Sequence, residues 1–133
     1  DILPYCAKNH IATLTYWSLE QGLLTGKVNL GRVFDKNDFR KNVGEWLPWF
    51  KKENIKRLLD MFAAWADLLD KHNCNISQLT IAWTAAQHGA THILCGAKTA
   101  DQSIQNAGAG SIILEEGEIQ RIRNDLLALG DPI

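Results

Sequence analysis

An α/β fold, mostly helical with two parallel strands, is what the sequence predicts. Two short runs rich in β-branched and aromatic residues, at 11–17 and 91–95, read as buried strands. The stretch between them is long enough to hold crossover helices, which makes the strands parallel neighbours with a right-handed connection. Apolar residues at helical spacing fill most of the remaining chain.

Taken in order, residues 2–9 predict a helix, with Pro4 tolerated in a first turn and Asn9 and His10 closing it. The period then changes for the strand at 11–17. From 20 to 52 glycines, charges and scattered aromatics show no sustained period. That pattern predicts a long ordered loop with one or two short helical turns, and loops of such length usually carry function. Between 53 and 73, Ile55, Leu58, Leu59, Phe62, Ala66 and Leu69 trace one helical face. Asn75 with Gln78 forms a capping-box pattern that opens a helix ended by Gly89. The strand at 91–95 runs into Gly96, and Thr99 with Gln102 is a second capping pattern, opening a helix to about 109. A final helix over 115–129 aligns Ile119, Ile122, Leu126 and Leu129, with acids in its first turn that suit the helix dipole.

Composition narrows the function classes. With 46% hydrophobic and 22% charged residues among 133, the chain is expected to form one globular unit with a real core. Fourteen basic residues face fifteen acidic ones, so no general positive field exists for a nucleic-acid backbone or an anionic membrane. No apolar run approaches the roughly 20 residues needed to span a bilayer, and Asp1-Ile2-Leu3-Pro4 lacks a signal-peptide pattern. A cytoplasmic location is the expectation, with no nucleic acid and no membrane as partner. The absence of an initiator Met suggests a piece of something longer. Cys6, Cys74 and Cys95 have no zinc-type spacing and are expected to be buried or partly buried thiols; His88 and His92 have the spacing of a ligand pair, but Gly89 interrupts it. No metal site is expected. Trp65 and Trp83 are expected in the core, whereas Trp46 and Trp49 lie in the long loop and line a pocket or staple that loop.

In parallel α/β folds ligands bind at the C-terminal ends of the strands, which places Ser18 to Gly22 beside Gly96 to Thr99. Gly96 allows close backbone approach, the helix that follows presents free N–H groups, and Lys98 adds a positive charge, a combination that suits a phosphate. Gln102 and Asn106 stand one helical turn apart and place two amides beyond that phosphate, within reach of a base. The alternative reading of these residues is a glycine turn, a cap and two solvated amides. Gly22 to Lys27 is no nucleotide-triphosphate loop: only three residues separate Gly22 from Gly26, and Val28 stands where that motif needs Ser or Thr. No Ser, His and carboxylate arrangement is suggested by the spacing.

Three segments in order, TLTYWSLEQGLLTGK at 13–27, NISQLTIAW at 75–83 and ILCGAKT at 93–99 with Gln102 and Asn106 beyond, resemble the C-terminal part of the aldo-keto reductases. The resemblance covers nearly the whole chain. It implies a C-terminal fragment of a TIM (β/α)8 barrel, holding strands seven and eight with their helices and the C-terminal helix. Residues 1–133 are then a single partial domain, and 20–52 is its cofactor and substrate loop. The resemblance implies NADPH as cofactor and a small carbonyl compound as substrate. Tyr16 matches the aromatic that stacks on the nicotinamide; Ser18, Leu19, Gln21 and Gly22 match the pyrophosphate loop, and Lys27 is a candidate to fold over the cofactor. Gly96, Lys98 and Thr99 match the turn for the adenosine 2′-phosphate, and Gln102 and Asn106 the adenine and phosphate contacts. The family's Tyr-Ser-Pro-Leu stands here as Tyr16-Trp17-Ser18-Leu19, so Tyr16 and Trp17 both remain candidates for the nicotinamide. The family's catalytic Asp, Tyr, Lys and His belong to the first half of the barrel, so this chain is expected to hold no catalytic residue and to be inert alone.

Two strands taken from a barrel leave unpaired edges, which implies a missing N-terminal half or self-association, with the helices covering what the barrel would have covered. A non-catalytic, redox-sensing nucleotide-binding subunit would show the same residues. An accidental likeness in a helical interaction domain would show no parallel pair at 11–17 and 91–95.

Overall fold

A computed structural model describes residues 2–133. Helix α1 (Ile2–Lys8) leads into strand β1 (Leu14–Thr15), and strand β2 (His92–Ile93) lies beside it in parallel, with Leu14 opposite His92 and Thr15 opposite Ile93. This pair is what a purely helical interaction domain would lack.

Both strands are shorter than the expected 11–17 and 91–95, for reasons visible at each end. Toward the N-terminal side, threonine hydroxyls replace the ladder. The Thr91 hydroxyl donates to the Thr13 carbonyl at 2.6 Å, and the Thr13 hydroxyl donates to the Gly89 carbonyl at 2.7 Å. At the other end Trp17 adopts a left-handed conformation, φ 58°, and turns the chain away. The main-chain bonds at the two ends of the pair run from the His92 N–H to the Thr13 carbonyl and from the Leu94 N–H to the Thr15 carbonyl.

The periodic stretch at 53–73 forms two helices, α2 (Lys52–Ala63) and α3 (Ala66–His72), rather than one. The break puts Trp65 into the core, 3% exposed, with its indole N–H donating to Asp125 at 2.7 Å. The Ala64 carbonyl freed by the break accepts from Arg121 at 2.6 Å. Helix α4 (Ile76–Ala85) carries the expected capping box between Asn75 and Gln78. It stops at Ala85 instead of continuing to Gly89, whose left-handed turn brings its backbone against Leu3 of α1. Helices α5 (Ala100–Gly108) and α6 (Glu116–Leu129) follow, α5 capped by Thr99 as its sequence predicts. The long loop holds three short 3-10 segments, Glu20–Thr25, Phe39–Glu45 and Pro48–Phe50, one more than expected.

Leu58 and Phe62 from α2, Trp65 at the break, Leu68 from α3, Leu79 and Ala82 from α4, and Ile122 from α6 form the core, which Leu23 and Val43 of the loop complete. Fully buried Asn54 ties the loop to the chain's last residue, donating to the carbonyls of Pro48 and Ile133. At the start of α6, Glu118 accepts from the Glu115 N–H and meets Lys71 Nζ at 2.9 Å and His72 Nε2 at 3.0 Å. Trp65 is buried as expected; Trp83 is half-buried, packed against the core and bonded to the Ile119 carbonyl. Of the loop pair, Trp49 packs on the core while Trp46 is exposed. The three cysteines are half-buried and unpaired. Contrary to expectation, the helices do not cover the strands: Leu14 is 60% and Tyr16 72% exposed. None of the helices described is long and apolar enough to cross a membrane.

Candidate functional site

Beyond the C-terminal ends of β1 and β2 lies an open cleft of about 910 Å³. One wall is the turn that leaves β1. Ser18 closes it locally, its hydroxyl 3.0 Å from that of Thr15. Glu20, Gln21 and Gly22 then have φ of 43°, 54° and 95°, three left-handed residues in succession, of which only the glycine adopts such a conformation freely. Bonds from the Glu20 N–H to Trp17 and from the Gly22 N–H to Leu19 stabilise the turn. The Thr25 hydroxyl donates to the Gly22 carbonyl at 2.7 Å. Among the described residues the N–H groups of Ser18 and Leu19 have no acceptor, which leaves two donors for a ligand.

The opposite wall is the turn that leaves β2. Thr99 accepts from the Gln102 N–H at 3.2 Å and the Gln102 side-chain oxygen accepts from the Lys98 N–H at 2.7 Å. The Asn106 amide donates to the Gly96 carbonyl at 3.4 Å. Each amide expected to reach a base therefore spends one polar atom bracing the 96–98 turn. A Cβ built on Gly96 would meet nothing within 4 Å, so the surface there is open to an approaching group.

Nine of the eleven residues singled out in the sequence line this one cleft: Ser18, Leu19, Gln21, Gly22 and Lys27 from the first junction, and Gly96, Lys98, Gln102 and Asn106 from the second. Tyr16 and Thr99 do not. Tyr16 points to solvent beside Trp17, their ring centroids 5.7 Å apart, and it is Trp17 that lines the cleft. Thr99 is occupied as a helix cap.

The long loop supplies residues that sequence reading did not single out. Phe34, Asp38 and Arg40 form the side of the cleft between the two junctions, with Arg32 alongside. The Arg40 guanidinium lies 4.6 Å from the Phe34 ring centroid and pairs with Asp38 at 2.6 Å. Hydrogen bonds from the Arg40 side chain and backbone hold the Asp38 carboxyl far below the usual carboxylate range, and Lys98 adds to the effect from the second junction. The signal that was available is the acid and the arginine two residues apart in a non-periodic stretch, close to an aromatic. Four basic residues, Lys27, Arg32, Arg40 and Lys98, line the cleft against two acidic ones, Asp35 and Asp38. In a chain whose net charge is −1, this local excess of two positive charges suits an anion of about that charge, such as a pyrophosphate. No Tyr, His or Cys lines the cleft among the described residues.

The family model described as the aldo/keto reductase family matches residues 1–125. The chain is 33% identical over 129 residues to the NADH-specific methylglyoxal reductase of Escherichia coli (strain K12), covering 97% of this chain and 38% of that protein. It is 34% identical over 113 residues to the aldo-keto reductase str7 of Strobilurus tenacellus, covering 85% of this chain and 32% of that one. Among solved structures, the glycerol dehydrogenase AKR11B4 from Gluconobacter oxydans superposes on the whole chain with a TM-score of 0.82 and 29% identity, over 39% of its own length. The chain belongs to the aldo/keto reductase family, a family of oxidoreductases that use nicotinamide cofactors. Its fold is part of that family's TIM barrel, and it spans well under half the length of these relatives.

Proposed function

We propose that this chain forms the dinucleotide-binding part of an NADP(H)-dependent reductase that converts aldehydes or ketones to alcohols in the cytoplasm. The observation that carries the reading is the meeting of residues 18–22 and 96–98 on facing walls of one positively charged cleft. The donor set fits the cofactor: unsatisfied N–H groups and a polar turn on one wall, an open glycine and a lysine on the other. When bound, the cofactor supplies a hydride. Ser18, Leu19, Gln21 and Gly22 hold its pyrophosphate, with Lys27 at the rim, and Trp17 offers the apolar face for the nicotinamide. Gly96 and Lys98 receive the 2′-phosphate, with Thr99, Gln102 and Asn106 fixing the turn on which they stand. The groups that move the substrate proton are supplied by barrel segments outside this chain, so the chain by itself binds nucleotide and does not turn over. The exposed strand face around Leu14 and Tyr16 takes those segments, or a second copy of the chain.

The relative named NADH-specific makes the cofactor's phosphate the point to test. Titration with NADPH and NADH, followed by quenching of tryptophan fluorescence, is expected to show NADPH bound about tenfold tighter, the worth of one charge-assisted phosphate contact. Lys98→Glu should remove that preference and leave NADH binding nearly unchanged. Equal affinities in both forms, unaffected by Lys98→Glu, would refute the NADPH assignment; no binding of either would refute the site.

A further inference from the structure

We propose that Arg40 is a positioning residue for the dinucleotide: it sets the backbone of the 20–22 turn in its binding conformation without being the phosphate's own cation. This rests on reading 18–22 as the pyrophosphate loop.

One guanidinium is held at every edge. Its Nε and Nη2 donate to the two Asp38 carboxylate oxygens at 2.9 and 2.6 Å, and its Nη1 donates to the Gln21 carbonyl at 2.9 Å. Its face lies on Phe34, and Asp38 is itself fixed by accepting from the Arg40 backbone N–H at 3.0 Å. The two side chains are 17% and 16% exposed, so the pair is largely shielded from solvent and from bulk ions. An arginine anchored in this way is a rigid strut between the 38–40 turn and a carbonyl 19 residues earlier.

The carbonyl it holds belongs to the middle of the left-handed run. Glu20 and Gln21 both carry side chains in a conformation that L-residues avoid, so the turn needs support from outside itself. Its bonds from the Glu20 N–H to Trp17, from the Gly22 and Leu24 N–H groups to Leu19 and from the Thr25 hydroxyl to Gly22 all stay within the same short stretch of chain. Arg40 provides the bond from a distant segment. The same contact accounts for the residue next door, since a Cβ on Gly22 would lie 3.1 Å from Arg40 Nη1 in a backbone of φ 95°. Binding the Gln21 carbonyl also keeps an oxygen lone pair engaged that would otherwise repel an anion in the cleft.

Titration by NADPH and NADH, together with amide hydrogen exchange of the unliganded protein, separates positioning from simple charge. Arg40→Ala should weaken nucleotide binding about tenfold or more, the worth of one hydrogen bond to a charged group. It should also speed exchange across 20–24. Lys41→Ala, which removes the same charge one position away on an exposed side chain, should do neither. Arg40→Lys should recover little, because an ammonium cannot hold a carboxylate and a carbonyl in one planar fork. Should Arg40→Ala fail to fold by circular dichroism, Asp38→Asn loosens the strut while keeping the cation, and about a threefold loss is expected for one weakened charged bond. Full affinity in Arg40→Lys, or unchanged affinity in Arg40→Ala with a wild type that binds, overturns the proposal. A wild type that binds neither nucleotide overturns the reading of the cleft instead, and the exchange rates then still show whether Arg40 holds the turn.

Discussion

Asn54 offers the sharpest test of what holds the long loop against the helices. Its side chain is fully buried and makes four hydrogen bonds: to the carbonyls of Pro48 at 2.8 Å and Ile133 at 2.9 Å, from the Ile133 N–H at 3.1 Å, and from Arg57 Nη1 at 2.8 Å. Asn54→Ala removes all four and leaves their partners to find water in a half-buried setting. At about 1 kcal/mol net for each of the neutral bonds and about 1.5 kcal/mol for the one from Arg57, with some recovery by solvent, the loss is about 3 kcal/mol. For a chain of this size that corresponds to a fall in Tm of about 10 °C. Asn54→Asp keeps the two accepted bonds, the one from Arg57 now charged on both sides, but removes both donor hydrogens and sets a carboxylate against two carbonyls, so it too should be destabilising. Urea denaturation followed by tryptophan fluorescence measures both. A loss below about 1 kcal/mol in Asn54→Ala, or an Asn54→Asp as stable as the wild type, would show that these bonds do not carry the loop's anchorage.

Two further outcomes are expected. Gly89→Ala places a Cβ 2.2 Å from the Leu3 carbonyl oxygen at φ 91°, a backbone clash that should cost about 2 kcal/mol or more and lower the thermal midpoint; an unchanged midpoint would mean that α1 is not seated there. For Glu118, burial raises the pKa, but Lys71, the Glu115 N–H and His72 outweigh it and hold the carboxyl at about 2, below its ordinary 4.5. A folded pKa below the unfolded one stabilises fully above pH 4.5 and is lost as pH falls toward 2, so Glu118→Gln should flatten the acid limb of stability in that window. At pH 7 the same change should cost about 2 kcal/mol, allowing for solvent screening of exposed Lys71, measured by denaturant titration.

What the sequence made legible followed from local rules. The two capped helix starts at Asn75 and Thr99 are set by side chains three residues from their partners, and both are where the pattern puts them. The two junctions face each other because parallel strands must align their ends, a rule that needs only the order of the elements. What escaped was set by distant partners. Nothing in the 53–73 periodicity marks Trp65 as a break, because the reason lies on α6, where Asp125 and Arg121 receive the freed groups. The strand lengths depended on hydroxyl bonds between Thr13 and Thr91, and the cleft's third side on an arginine reaching back from the loop to Gln21. Tyr16 was matched by family pattern, but the left-handed turn at Trp17 sends the two rings different ways.

The hydroxyl bonds that join the strands link Thr13 to Thr91, residues 78 apart in sequence. Closing a loop of that length costs entropy before any of these contacts repays it, whereas the turns of α2, α4 and α6 form from neighbours. Pairing of the strands therefore carries the entropy of closing that long loop, as does the tie of Asn54 to Ile133, 79 residues away. The two turns that hang from the strand ends are aligned only by that long-range pairing, and a ligand that spanned the cleft would add its binding free energy to it.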